Sequence, residues 1–227
     1  MKQRGFTLLE LLVVLALVAA TTFLVVEGLG GGKTTVLRSS QTLMSGLVTA
    51  ARTKAAATGR KTRLLVNIDP GEAQRALRFV VFQVVSPTDP AAWTTVQAVF
   101  LPETTYVAPG SLSGLVADPS QWKRISNPAD DLASDLFASQ NLAYVLDGDS
   151  AAQLWTGVAF TPNGTLAALA GGPPPKGSIV IACGLPRVAG TFPTGQLPVQ
   201  LDDPAHVCGL MLSAYGVPAL LADRNAF

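Results

Sequence analysis

The sequence predicts an α+β protein in which one long N-terminal helix packs on an antiparallel β-sandwich of short strands. Three observations lead to this prediction. An apolar run extends from Phe6 to Val26, apolar residues then recur at helical spacing between Thr34 and Thr58, and short segments rich in β-branched and aromatic residues follow. Helical segments followed by a series of strands are typical of α+β folds rather than of alternating α/β folds.

The apolar run is long enough to cross a membrane. A helix rises about 1.5 Å per residue, so residues 6–27 can span a hydrocarbon core of roughly 30 Å. Lys2 and Arg4 precede the run, which places the N-terminus in the cytoplasm by the positive-inside rule. We therefore predict a single-pass membrane protein whose remaining domain, after residue 27, lies outside the cytoplasm.

Glu10 interrupts this apolar run. An acid at the centre of a transmembrane helix costs roughly 2.5–3.5 kcal/mol, so the carboxylate requires a partner unless it reaches the headgroups near the cytoplasmic end. A secretory signal cut after the small residues of 16–20 is an alternative interpretation of the run, although its apolar region would then contain Glu10.

The segment Gly5-Phe6-Thr7-Leu8-Leu9-Glu10 closely resembles the class III signal of type IV pilins and of the pseudopilins of type II secretion systems. The resemblance implies that a prepilin peptidase removes the leader, residues 1–5, by cutting after Gly5, and that it methylates the new N-terminal Phe6. It also implies that Glu10 pairs with the N-terminal amine of a neighbouring subunit. Opposite charges attract strongly at low dielectric, and either charge alone is costly to bury.

Residues 28–33 contain four glycines within five positions, and each glycine lowers helix stability by about 1 kcal/mol. We expect the helix to kink or melt there. The triplet Gly32-Lys33-Thr34 does not indicate a phosphate-binding loop, because the first position of that pattern falls on Glu27 and a membrane helix precedes it. Residues 34–59 predict an amphipathic helix that ends at Gly59.

The passage from Leu43 through Gly59 into the strand predicted at 60–66 is similar to the GspH/FimT subfamily of pseudopilins, in which an L-x-x-A-L-x-x-A-R-x-x-A pattern leads into the first strand. Gly46 stands in place of the usual alanine, and Asn67 follows the strand in place of a cysteine or apolar residue. The segment Phe160–Gly164 resembles the F-x-P-x-G segment of the subfamily and carries an Asn-Gly hairpin signal.

Residues 60–227 are predicted to form the β-rich periplasmic domain, with a polar insertion at about 109–140. We expect the insertion to be exposed, to be dispensable for folding, and to contain a short helix near 129–137 that is capped by Asn127. The strands are predicted at 62–68, 77–85, 96–100, 142–146, 155–161, 165–169, 178–182, 197–201 and 209–214. The proline-rich segment 171–177 indicates a stiff turn.

Few residues of the domain could support chemistry. His206 is the one histidine, and no G-x-S-x-G elbow accompanies it. Asp147 and Asp149 are spaced as in calcium loops, but the later ligands of such a loop are missing. Cys183 and Cys208 could form a disulfide in an oxidising compartment or remain two buried thiols. We predict no catalytic residue, no cofactor and no metal, and hence no enzyme.

The resemblance implies a minor pseudopilin, a structural subunit at the tip or initiation point of the type II secretion pseudopilus. Its partners would be other pseudopilins or pilins through the N-terminal helix, the prepilin peptidase and the membrane. Nucleic acid is not expected, because the net charge is only +1. One alternative is a FimT-like minor type IV pilin involved in pilus assembly or in DNA uptake, for which Lys176, Arg187 and Arg224 are the available cations. The other is an exported periplasmic domain unconnected to any filament.

Overall fold

A computed structural model describes residues 8–169 and 171–227, with the side chains described from residue 32 onward. The chain divides into two compact units, Met1–Thr35 and Val36–Phe227. One helix, α1, covers Leu8–Thr58. Residues 28–33 are assigned to this helix, so the helix does not melt there, and the alternative of a kink stays a prediction. Within the described part of the chain, no helix has the length and hydropathy that a membrane span needs.

Eleven strands follow in the described residues. They are β1 Thr62–Asn67, β2 Phe79–Val85, β3 Trp93–Phe100, β4 Thr105–Ala108, β5 Asn141–Tyr144, β6 Gln153–Phe160, β7 Leu166–Ala167, β8 Gly177–Pro186, β9 Val199–Leu201, β10 Val207–Leu212 and β11 Pro218–Leu221. Three single 3₁₀ turns lie at Pro119–Gln121, Asp135–Phe137 and Arg224–Ala226. The predicted α+β class is therefore confirmed as one helix with antiparallel sheets.

The strands form two antiparallel sheets. Sheet A has the order β3-β2-β1-β6-β5, and β7 pairs with the end of β6; sheet B has the order β11-β10-β8-β4, and β9 extends the end of β8. In sheet A the central strand β1 pairs with β2 on one side and with β6 on the other. Val96 of β3 has no partner in the β2–β3 register, which shifts there. Such a bulge twists an edge strand and protects it from pairing with another chain.

The principal core lies between the second half of α1 and the inner faces of both sheets. Alternate residues of β1, β2 and β6 face it from sheet A, and alternate residues of β8 and β10 face it from sheet B, as period-2 strands require. These buried residues are Leu37, Met44, Leu47, Val48, Ala51, Ala55, Leu64, Val66, Val80, Phe82, Val158, Phe160, Ile179, Ile181, Cys183, Cys208, Leu210 and Leu212.

Residues 109–140 cover the outer face of sheet B, which corrects the prediction that this segment is exposed; its dispensability for folding stays a prediction. Trp122 and Leu132 are 3% and 0% exposed and pack against Val180 and Ala182 of β8. The predicted helix near 129–137 is also wrong, because only the 3₁₀ turn Asp135–Phe137 forms. Asn127 instead bonds Ala129 and Asp130 locally, a pattern that favours turns over helices.

Candidate assembly surface

The residues that the sequence predicts for processing and assembly lie at the N-terminal end of the chain. Gly5 and Phe6 lie outside the described residues, and Glu10 belongs to α1 without a described side chain. The roles predicted for these three residues therefore stay predictions. The part of the candidate assembly surface whose side chains can be examined consists of α1 from Val36 onward and the two ends of each sheet.

The second half of α1 is held to the sheets by its predicted apolar stripe. Met44, Val48, Ala51 and Ala55 are all 0% exposed. Ala51 and Ala55 are small, so the last two turns of the helix can approach sheet A closely. The amphipathic helix predicted for 34–59 is confirmed in this part.

Three polar contacts fix the position of the helix along the sheets. The amide of Gln41 donates through Nε2 to the carbonyl oxygens of Gly209 at 2.7 Å and Leu221 at 2.8 Å. Ser40 and Thr105 share a hydroxyl–hydroxyl hydrogen bond of 2.7 Å. Thr62 donates through Oγ1 to the carbonyl of Ala51 at 2.9 Å. Buried polar groups need such partners, so these bonds define one register of helix against sheet.

Sequence reasoning missed Gln41 and Ser40. A signal for Gln41 was present, because it lies four residues after Leu37 and three before Met44 on the buried stripe. A polar residue at a helical spacing that otherwise selects apolar residues indicates a buried hydrogen bond. The acceptors belong to strands more than 160 residues away, and no local pattern in the sequence identifies them.

The exposed side of α1 is cationic. Residues 28–68 contain seven Lys or Arg residues and no Asp or Glu. Arg52 donates from Nε to the carbonyl of Tyr215 at 2.8 Å, and Arg60 donates from Nη1 to the carbonyl of Val85 at 3.0 Å. Lys54 and Lys61 are exposed. These four side chains gather at the C-terminal end of the helix, where the helix dipole favours positive charge.

Arg63 is the one cation of this segment that is buried. It lies on the outer face of sheet A and is 5% exposed. Its guanidinium carbon, Cζ, lies 4.1 Å from the centre of the Trp93 ring and 4.2 Å from the centre of the Tyr144 ring. Nε donates to Oε1 of Gln83 at 2.7 Å, and Nη2 has no hydrogen-bond partner. Burial lowers the pKa of Arg63 to about 10, and the nearby Tyr144 opposes this change.

Both cysteines are buried, and the structure shows no disulfide between them, so the predicted bond is not observed. Their strands pair with Cys208 opposite Ile181, so Cys183 is its diagonal neighbour on the same face. Diagonal neighbours on paired strands are roughly 7–8 Å apart, beyond the Cα separation that a disulfide usually spans. The Cys208 thiol donates to the carbonyl of Leu37 at 3.4 Å. Burial, with a smaller contribution from Cys183, raises the pKa of Cys208 to about 12.

The other candidate groups occupy separate places. Nδ1 of His206 lies 2.7 Å from a carboxylate oxygen of Asp203. Asp149 forms an ion pair with Arg75 at 2.8 Å. Asp147 is exposed. Within residues 8–169 and 171–227, no group of three or more His, Cys, Asp or Glu side chains is placed to hold a metal ion.

The cations of the DNA-uptake alternative do not form one patch. Lys176 precedes β8 and Arg187 follows it, so ten residues of strand, about 30 Å, separate them. The Arg187 guanidinium faces the Phe192 ring at 5.9 Å. Nη2 of Arg224 donates to the carbonyls of Gln121 and Lys123, so its charge serves the fold of the insertion.

Comparison with known proteins bears on the N-terminus. The family model described as the prokaryotic N-terminal methylation motif matches residues 1–25. The N-terminus is that of a type IV pilin-like protein. No curated protein matches the chain.

Two solved structures of the minor pseudopilin EpsH from the type II secretion system of Vibrio cholerae are similar to this chain. The first is 13% identical, with 84% of this chain and 96% of that chain covered and a TM-score of 0.39. The second is also 13% identical, with 82% and 95% covered and a TM-score of 0.38. At these values the similarity carries no conclusion about function, which has to be argued from the chain's own residues.

Proposed function

We propose that this protein is a minor pseudopilin, a structural subunit of the type II secretion pseudopilus that acts at its tip or in its initiation and supports protein export. The observation that carries the proposal is the methylation motif over residues 1–25. In this proposal the chain is held in the inner membrane by residues 6–27, with its N-terminus in the cytoplasm and its domain in the periplasm. The protein then acts by assembly and not by catalysis.

The folded domain supports a structural role through the way that it holds α1. Gln41, Ser40 and Thr62 connect the helix to both sheets through buried hydrogen bonds. Buried polar contacts are costly to break, so α1 from Val36 onward and the two sheets are held together as one folded body. This is the mechanical property that a filament subunit requires.

The N-terminal residues have distinct proposed roles. Prepilin peptidase cuts after Gly5 and methylates Phe6, which leaves a mature chain that begins within the apolar helix. Glu10 then pairs with the N-terminal amine of the adjacent subunit. In a low-dielectric bundle the loss of either partner leaves a buried charge alone, and breaking such a pair costs about 3–5 kcal/mol.

The test uses the full chain in its native membranes together with its pseudopilin partners. Mass spectrometry of the wild-type protein should find residues 1–5 removed and Phe6 methylated. Glu10→Ala should lower recovery of the protein in co-assembled complexes at least tenfold, whereas Glu10→Asp should retain most of it because the charge remains. A retained leader, or unchanged co-assembly of Glu10→Ala, would contradict the proposal.

The alternative function, a FimT-like minor pilin in DNA uptake, gains one observation from the structure. Arg52, Lys54, Arg60 and Lys61 gather at one end of α1, and phosphate binding requires such a concentration of positive charge. A gel shift of duplex DNA at low salt tests it. Retardation that Lys54→Ala together with Lys61→Ala abolishes would favour the DNA-binding pilin over the secretion subunit.

A further inference from the structure

The strongest unexplained feature of the folded domain is the separation of charge along β1. The residues that flank the start of β1 are basic, and those that flank its end are acidic. We propose that these two ends of sheet A form a head-to-tail contact between two copies of this chain, with the basic end of one copy on the acidic end of the next.

The basic end consists of the C-terminal turns of α1, the connection to β1 and the β2–β3 turn. It carries four cations and one acid: Arg52, Lys54, Arg60, Lys61 and Asp89. None of the four cations forms an ion pair within the described residues. The carboxylate of Asp89 accepts from the backbone N–H of Ala91 at 2.9 Å and so belongs to its own turn. The charge of this end is about +3.

The acidic end consists of the turn after β1, the loop before β6 and the residues that flank β2 and β3 at that side. It carries five acids and two arginines: Asp69, Glu72, Glu103, Asp147, Asp149, Arg75 and Arg78. Asp69 accepts backbone N–H groups of Gly71 and Leu154, and the carboxylate of Asp149 is paired with Arg75. Glu103 and Asp147 are exposed. The charge of this end is about −3.

The two ends cannot neutralise one another within one molecule. β1 has six residues, and a strand rises about 3.3 Å per residue, so the ends are held roughly 17 Å apart by a hydrogen-bonded sheet. At physiological ionic strength the interaction of exposed charges is screened beyond about 8 Å. Each end therefore keeps its own net charge at the surface, where a surface of opposite sign can pair with it.

Charge complementarity favours a second copy as the partner, since the two ends of this domain carry net charges of equal magnitude and opposite sign. A contact between two different surfaces of the same chain is heterologous, so it can join two copies without a two-fold axis. The inference rests on the proposed function, in which the chain acts by assembly with other subunits. It adds a contact of the folded domain that is separate from the pairing of Glu10.

Cysteine cross-linking of the full chain in membranes tests the contact. Two differently tagged copies are expressed together, one with Lys61→Cys and the other with Asp147→Cys, and a mild oxidant is added. The matched control replaces Asp147→Cys with Ser126→Cys, because Ser126 is exposed, lies on the insertion that covers sheet B and belongs to neither end. We expect the Lys61 and Asp147 variants to cross-link at least about fivefold more than the control pair, and salt near about 0.5 M to reduce this excess severalfold.

A charge exchange gives the second measurement. Lys54→Glu in the first copy should reduce the cross-link severalfold, and Glu72→Lys in the second copy should restore it. In the same membranes, Glu10-dependent co-assembly is measured separately, so that failure of the filament role is distinguished from failure of this contact. Cross-linking equal to that of the control, insensitivity to salt, or binding of duplex DNA by the basic end with no cross-link would overturn the proposal.

Discussion

Substitution of Arg63 tests why a cation is buried on the outer face of sheet A. Its guanidinium lies between the rings of Trp93 and Tyr144, which belong to the opposite edge strands β3 and β5. Each desolvated cation–π contact contributes about 1–2 kcal/mol. The charged hydrogen bond to Gln83 adds about 1.5–3 kcal/mol, and the unpartnered Nη2 opposes these with a penalty of about 1–3 kcal/mol. Together these contributions stabilise the folded domain by roughly 2–4 kcal/mol relative to a side chain that makes none of these contacts.

We therefore expect Arg63→Lys to destabilise the domain more than Arg63→Met does. Lysine retains the buried positive charge but loses the planar group that fits between two rings and the Nε bond to Gln83. Methionine is flexible and apolar, so it fills part of the space between the rings and requires no partner. The expected loss in the free energy of unfolding is about 2 kcal/mol for Arg63→Met and at least about 3 kcal/mol for Arg63→Lys.

The assay is urea unfolding of the full chain in detergent, followed by tryptophan fluorescence, with Arg60→Lys as the control. Arg60 is half-buried and has one hydrogen bond, to a backbone carbonyl that a lysine ammonium can also reach, so its exchange should change the free energy of unfolding by less than about 0.5 kcal/mol. If Arg63→Lys proves as stable as the wild type, the planar stacking contributes nothing and the reasoning is refuted.

Four further predictions concern the core, the helix and the thiols. Trp122→Ala should lower the free energy of unfolding by about 3–5 kcal/mol, measured by urea unfolding, whereas the original expectation for the insertion requires almost no loss. Gln41→Leu should cost about 1–3 kcal/mol, because it leaves two buried carbonyls without their donor. Gly157→Ala should prevent folding, since the added Cβ would lie 2.0 Å from the carbonyl oxygen of Leu64. Gly46→Ala is the matched control: its added Cβ would have no neighbouring atom within 4 Å, so thermal unfolding should show a neutral or stabilising effect. Burial raises the pKa of Cys208 from 9.0 to about 12, so the stability that its protonated thiol contributes is complete below pH 9 and is lost as the pH rises toward 12. Because both thiols are buried, iodoacetamide should label the two cysteines at pH 8 only after unfolding.

The helix and most strands could be predicted because their periodicity is local. The stripe through Met44, Val48, Ala51 and Ala55 is visible in the sequence, and the structure buries each of these residues. β1, β2 and β6 fall within one or two residues of their predicted bounds. The Asn-Gly signal at Asn163 and Gly164 also forms a turn, with Gly164 at φ +76°. These features depend on propensity and on apolar spacing within about ten residues.

Strands β4 and β11 were missed because their short sequences carry little signal of their own. β4 consists of four residues, Thr105–Ala108, and is a strand because it pairs with β8. β11 begins at Pro218, a residue that argues against a strand except at an edge. It occupies the edge of sheet B, and Gln41 of α1 bonds the carbonyl of its last residue, Leu221. Long-range pairing, rather than local propensity, decides both elements.

The insertion shows how composition can mislead about burial. Residues 109–140 contain four Asp residues and six Ser residues, and this polar composition favours an exposed segment. The segment nevertheless places widely spaced apolar residues, among them Leu112, Trp122 and Leu132, onto one face of sheet B, and its polar residues bond to one another or to backbone groups in turns. A sheet with apolar residues on both faces needs a cover on each. In β8, Ile179 and Ile181 lie on one face and Val180 and Ala182 on the other, so both faces of the strand are apolar. Because α1 can cover only one face, a second segment of the chain has to cover the other. The sequence of β8 therefore indicated that the insertion is needed as a cover.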